Sequence, residues 1–258
     1  MTLSESVICC EGFHDRAFWK GMLLHLGCTD PGAPTAGGSG RRSVYDPWGS
    51  KVFGGGQFAY LSRSGEFIRV VPCGGNDGVL TETRLRLQLR TTKAVREIVV
   101  CLDSDKNADG SPPASRIITN TAVEAIARGA DRACTAVGQN GFAVDGGATR
   151  VHLVTWSVAD PPSPTLPNQQ TLERLVTAAI IAAYPTRALP VQNWLATRPA
   201  PPPPSPKDFA WSHMAGWYSE HGCDAFLSET WKDRSIAAEL EGRLGQNGAW
   251  SVAQALTA

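Results

Sequence analysis

Short apolar runs alternate along this chain with longer stretches whose apolar positions recur at helical spacing, a pattern that predicts strands followed by helices. Ser6–Cys10 reads as a buried strand that stops at Glu11-Gly12. From Phe13 to Leu26 the residues Phe18, Met22, Leu23 and Leu26 fall on one side of a helix, which Gly27 closes. Phe58–Leu61 and Glu66–Val71, separated by Ser62–Gly65, predict a hairpin. Glu97–Leu102 and Val151–Trp156 are further buried strands, and Ile117–Arg128 and Leu172–Ala183 are further helices. Leu80–Lys93 carries two patterns in conflict. Arg84 to Arg90 alternates like a strand, whereas the length and the preceding Gly74-Gly75-Asn76-Asp77 suit a turn that opens a helix, which the topology favours.

Strands alternating with helices imply crossover connections, hence an α/β domain with a mainly parallel sheet and helices on both faces. Between the first helix and the hairpin, residues 29–58 are rich in Gly, Pro and Ser and form a long loop or insertion. The domain is expected to occupy residues 1–199. A stiff Pro-rich connector at 200–207 then leads to a helical element at 208–258, with Trp211, Trp217, Phe226, Trp231 and Leu240 as apolar anchors.

Composition narrows what such a domain can do. The chain has 258 residues, 42% of them hydrophobic, enough for a substantial core. Its formal net charge is zero, so any contact with nucleic acid must come from a local basic patch, a metal ion or a basic partner. Seven cysteines without CxxC spacing argue for reduced thiols in a cytoplasm, against a disulfide framework and against structural zinc. His213, His221 and Cys223 fit no standard zinc spacing. The first residues do not read as a signal peptide, and no apolar run is long enough to span a membrane, so no membrane partner is expected. Gly54-Gly55-Gly56 lacks the Lys-Ser/Thr of a phosphate-binding loop.

The acidic residues carry the chemistry. In a parallel sheet, ligands gather at the carboxyl ends of strands, where Glu11 and the pair Asp103 and Asp105 are expected. Two carboxylates two residues apart on an extended strand project from one face and repel unless a cation neutralises them. Oxygen ligands of this kind select Mg²⁺ or Mn²⁺. The competing reading is that Asp103-Ser104-Asp105 starts a turn and caps a helix.

Together, VICCEGFHDRAFW and IVVCLDSDKNADG resemble the two signature motifs of the TOPRIM family: one hydrophobic strand ending in Glu-Gly, another ending in Asp-x-Asp. The resemblance covers roughly residues 4–185 and implies a TOPRIM-like fold. It assigns Glu11 as metal ligand or general acid/base, Asp103 and Asp105 as metal ligands, and Asp15 as the acid of the first helical turn. Asp15 is equally readable as a partner of the helix dipole. PNQQTLERLV resembles a later segment of the small stand-alone members and the overcoming-lysogenization-defect nucleases, and makes Glu173 a second-metal ligand, with Asp109 its competitor. Lys106 would neutralise transition-state charge or point to solvent. Gly12 would allow a tight turn beside a phosphate.

The implied activity is Mg²⁺-dependent phosphodiester hydrolysis, with DNA favoured over RNA. By analogy with the larger relatives, a separate ATPase or other protein is a partner to look for. The alternative is a non-catalytic subunit that keeps the metal or nucleic-acid site within a larger complex. A basic strip from Arg41, Arg42, Arg84, Arg86 and Arg90 would favour the enzyme, and an exposed apolar patch would favour the subunit.

Overall fold

The computed structural model describes residues 4–38, 40–52, 56–89, 93–105, 125, 128–129, 132–138, 140–163, 166, 168–197 and 223–258. Chain contacts divide it into two compact units, one of residues 1–102, 118–154 and 251–258, the other of residues 103–117 and 155–250.

The first unit is built on a seven-stranded sheet. Its strands are β1 (Ser4–Cys10), β2 (Phe58–Leu61), β3 (Phe67–Pro72), β4 (Ala94–Asp103), β5 (Cys134–Ala136), β6 (Gly141–Val144) and β7 (Thr149–Trp156), in the spatial order β2-β3-β1-β4-β7-β6-β5. β1 runs parallel to both β3 and β4, with Cys10 opposite Pro72 and Cys101. Thr149 Oγ1 reaches Val95 O and His152 meets Glu97, so β7 also runs with β4. β2 pairs antiparallel with β3, and β6 antiparallel with β7 and β5. This is the expected α/β architecture: a parallel centre flanked by antiparallel strands.

Helices cover both faces. Val7 and Cys9 of β1 and Ile98, Val100 and Leu102 of β4 pack with Val79 and Leu87 of α2 (Asn76–Leu89). Strand residues of the opposite parity face α1 (Phe13–His25), whose Trp19 donates its indole N–H to Cys101 Sγ at 3.3 Å. Phe18, Met22 and Leu23 of α1 are fully buried as its spacing predicts, and Gly27, at φ 91°, ends it. The helical reading holds for residues 80–89, with the helix opening earlier, at Asn76, and residues 90–92 lie outside the described residues.

The Gly/Pro/Ser-rich stretch after α1 is pinned rather than loose. Val44 and Val52 bury against Ala59 and Phe67, and Asp46 takes hydrogen bonds from Trp48 N, Ser50 N, Arg69 and Lys93. Arg69 also binds Glu5 through two nitrogens, and Glu5 in turn accepts from Arg86 at 3.0 Å. One buried ionic network thus ties this stretch to β1, β3 and α2.

The second unit is helical: α3 (Leu172–Ala183), α4 (Pro185–Thr197), α5 (Cys223–Glu229), a 3₁₀ turn (Thr230–Lys232) and α6 (Arg234–Gln246). α7 (Ala249–Thr257) follows. Residues Leu172 to Ile180 of α3 are all buried, so this helix is a core element on every side. α6 is fastened to the same unit by Arg243 on the Asp160 carboxylate at 2.7 and 3.1 Å, and Tyr184 hydroxyl donates to Asp233 at 2.6 Å. The division therefore does not follow the Pro-rich connector, because α6 packs with α3. The connector, the segment 208–222 with Trp211 and Trp217, and most of the helix expected at 117–128 lie outside the described residues. Among the described residues no helix is long and apolar enough to cross a membrane.

Candidate acidic site

The residues singled out from the sequence fall in both units. In the first, β1 delivers the chain directly to Glu11, whose carbonyl accepts from Gly75 N at 2.9 Å. That bond joins the end of β1 to the Gly74-Gly75 turn after β3, where φ values of 75° and 106° require glycine. Gly12, by contrast, is extended (φ −150°, ψ −171°), a conformation open to any residue. A tight turn therefore does not explain Gly12. Its N–H donates to the Asp15 carboxylate at 3.1 Å, and Asp15 is buried in the first turn of α1. Asp15 thus closes the helix N-terminus, as a dipole partner does.

Burial, then the negative charge of Asp15, pushes Cys10 and Cys101 well above the ordinary thiol range. Both side chains are fully buried in the sheet's packing.

In the second unit, the Asp-x-Asp pair does not continue as an extended strand. Asp103 ends β4, and Asp105 adopts φ 53°, so the two carboxylates are not aligned by strand geometry. The turn is stitched instead to the segment entering α3. Ser104 N donates to Trp156 O at 3.3 Å and Asp105 N to Gln170 O at 3.0 Å. Gln169 Nε2 donates to Asp105 Oδ1 at 2.9 Å, and Leu172 N to Asp103 Oδ1 at 2.8 Å. Asp103 therefore satisfies one of the orphan amides of α3's first turn, while Thr171 caps Arg174 N. The helix-capping reading of this motif is realised, on a helix distant in sequence rather than the next one.

Glu173 sits in that same first turn and is 1% exposed. The structure thus brings Asp103, Asp105 and the first turn of α3 together, and places Glu11 and Asp15 in the other unit. Lys106 and Asp109 lie outside the described residues. Among the described residues, no three His, Cys, Asp or Glu side chains stand close enough to form a ready metal shell.

Sequence reasoning passed over Gln169 and Gln170, the amides that hold the Asp-x-Asp turn. Gln170 also pairs with the Val158 backbone through both its side-chain atoms, at 2.8 and 3.0 Å. The signal was the Asn168-Gln169-Gln170 run ahead of α3.

The five arginines that could form a basic strip are engaged differently. Arg86 is buried against Glu5 and Glu82, Arg41 makes a bidentate pair with Asp30, Arg42 binds the Ala33 carbonyl, and Arg90 lies outside the described residues. Arg41, Arg42 and Arg84 are exposed, Arg84 on α2.

No protein-family profile and no curated protein sequence matches the chain. Its fold is similar to that of a hypothetical protein from Pyrococcus horikoshii OT3, known from a crystal structure. The TM-score is 0.64 with 14% sequence identity, over 99% of this chain and 100% of the other. At that identity the likeness concerns the fold alone.

Proposed function

We propose that the chain is a metal-dependent phosphodiesterase of TOPRIM type that hydrolyses nucleic acid, DNA in preference to RNA. The observation that carries this reading is the pairing of β1 and β4. They are parallel neighbours with Cys10 opposite Cys101, and each runs straight into one of the two acidic motifs. In parallel sheets the carboxyl ends of strands are where ligands bind.

Asp103 and Asp105 would hold Mg²⁺ or Mn²⁺, with Glu173 the further ligand if a second ion is used. Such an ion would supply Lewis-acid chemistry toward a phosphate. Glu11, which follows β1, would be the general base. The cap that Asp103 makes on α3 and the amide of Gln169 on Asp105 fix the two aspartates before substrate arrives, which is the preorganisation such a site needs.

The test is incubation of purified protein with plasmid, linear DNA and RNA in Mg²⁺ or Mn²⁺. Cleavage that vanishes in Glu11→Gln and Asp103→Asn is expected. Cleavage that survives both substitutions, or none from the wild type on any of the three substrates, sinks the proposal. The zero net charge and the engagement of Arg41 and Arg86 in internal ion pairs favour a second reading, a non-catalytic subunit that acts beside a basic partner such as a separate ATPase.

A further inference from the structure

Two residues beyond Glu11, the first position of α1 is Phe13, 54% exposed. A single exposed aromatic ring is unremarkable. Here the ring is the outer end of a column. The Arg16 guanidinium lies 4.8 Å from the Phe13 ring centre and 4.1 Å from that of Phe58, and the Arg41 guanidinium lies 4.1 Å from Phe58. Rings and cations alternate through four layers, each ring face meeting a positive charge as its quadrupole prefers.

The column is fixed in place. Arg16 Nη1 donates to Gly56 O at 2.8 Å, and Arg41 is clamped by two bonds of 2.8 and 2.9 Å to Asp30. Gly56, at φ 78°, lies so close to Phe13 that a Cβ would collide with the ring. A rigid aromatic surface backed by the Arg16 guanidinium suits one occupant above others: an unpaired nucleobase, whose flat face extends the stack.

We infer that Phe13, backed by Arg16, Phe58 and Arg41, is a stacking platform for a base of single-stranded nucleic acid entering beside Glu11. The inference rests on the proposed nucleic-acid substrate and narrows it to an unpaired strand. A base inside a duplex already stacks on its neighbours and has no free face to offer.

The experiment is fluorescence anisotropy of a labelled oligothymidine and of a labelled duplex, both in Ca²⁺, a hard cation that does not meet the strict octahedral demands of Mg²⁺ sites. Phe13→Leu keeps the apolar bulk and loses the π face, so single-strand affinity should fall about tenfold with duplex affinity unmoved. Phe13→Trp should restore it. Wild-type affinity in Phe13→Leu, an equal loss for both DNAs, or no single-strand binding by the wild type overturns the platform. Plasmid cleavage by the wild type in Mg²⁺ is scored separately. If cleavage is absent and the Phe13 effect remains, the hydrolase reading fails and the platform stands.

Discussion

Replacing Asp103 separates what its carboxylate does for the fold from what it does in the proposed chemistry. Asp103 Oδ1 accepts from Leu172 N at 2.8 Å, and Leu172 is buried, so Asp103→Ala leaves a backbone donor without its charged acceptor and away from water. Loss of a hydrogen bond to a charged group costs about 1.5–3 kcal/mol, and loss of the negative charge at the helix N-terminus about 0.3–1 kcal/mol more. The expected destabilisation is therefore about 2–4 kcal/mol. Asp103→Asn keeps an acceptor oxygen and loses only the charge, at about 1 kcal/mol or less. Urea denaturation gives the global cost, and hydrogen exchange at the Leu172 amide gives the local one, each 1.4 kcal/mol being about a tenfold faster exchange in the alanine variant. Cleavage should be lost in both variants. If Asp103→Ala is within about 0.5 kcal/mol of wild type and Leu172 exchange is unchanged, the cap holds nothing and the preorganisation argued for the site is void.

Glu173→Gln should cut cleavage by orders of magnitude with folding nearly unchanged if Glu173 is a ligand; full turnover at several metal concentrations would remove it from the site and leave a one-metal mechanism. Gly78→Ala should destabilise by about 2–3 kcal/mol in denaturant titration, because a Cβ there would overlap the Cys73 carbonyl oxygen and the first turn of α2 would have to shift. Burial alone would raise the pKa of Asp46, but the hydrogen bonds from Lys93, Ser50 N and Arg69 outweigh it and hold the carboxyl below its ordinary value of 3.8. Its folded pKa is the lower one, so its stabilisation is complete above the unfolded value and is lost as pH falls through the folded value. Asp46→Asn should accordingly flatten the acid limb of a stability–pH curve, and an unchanged limb would count against the network.

Much of the sheet was legible because its central strands carry apolar runs. Ile98 to Leu102 and Val151 to Trp156 have hydrophobic character on both sides, as strands covered by helices on both faces require. The Leu80–Lys93 pattern misleads because alternate leucines have different fates: Leu87 is buried, Leu85 is exposed, and Thr83 and Arg86 are buried with Leu87 at helical spacing. A guanidinium at a buried helical position looks like the polar phase of a strand until Glu5 is seen opposite it. β5 and β6 were invisible, being only three and four residues long, and α4 was hidden by Pro190 within it. Of the acidic motifs, the sequence had Glu11 and Asp103 at the ends of their apolar runs, where β1 and β4 stop. It had no access to the left-handed backbone at Asp105 or to the role of Gln169, which depend on residues more than sixty positions away.

The interleaving of the two units bears on how the chain acquires its structure as it is made. Domains usually fold as they leave the ribosome, the amino-terminal one first. Here the polypeptide enters the second unit at Asp103, returns to the first at Ile118, departs again at Thr155 and comes back only at Ser251. The sheet-bearing unit, although it starts at the amino end, is completed by residues translated nearly two hundred positions after its first strands pair. Neither unit corresponds to a contiguous stretch that could be expressed alone, and a nascent chain arrested at residue 250 would hold all of the second unit and an unfinished first.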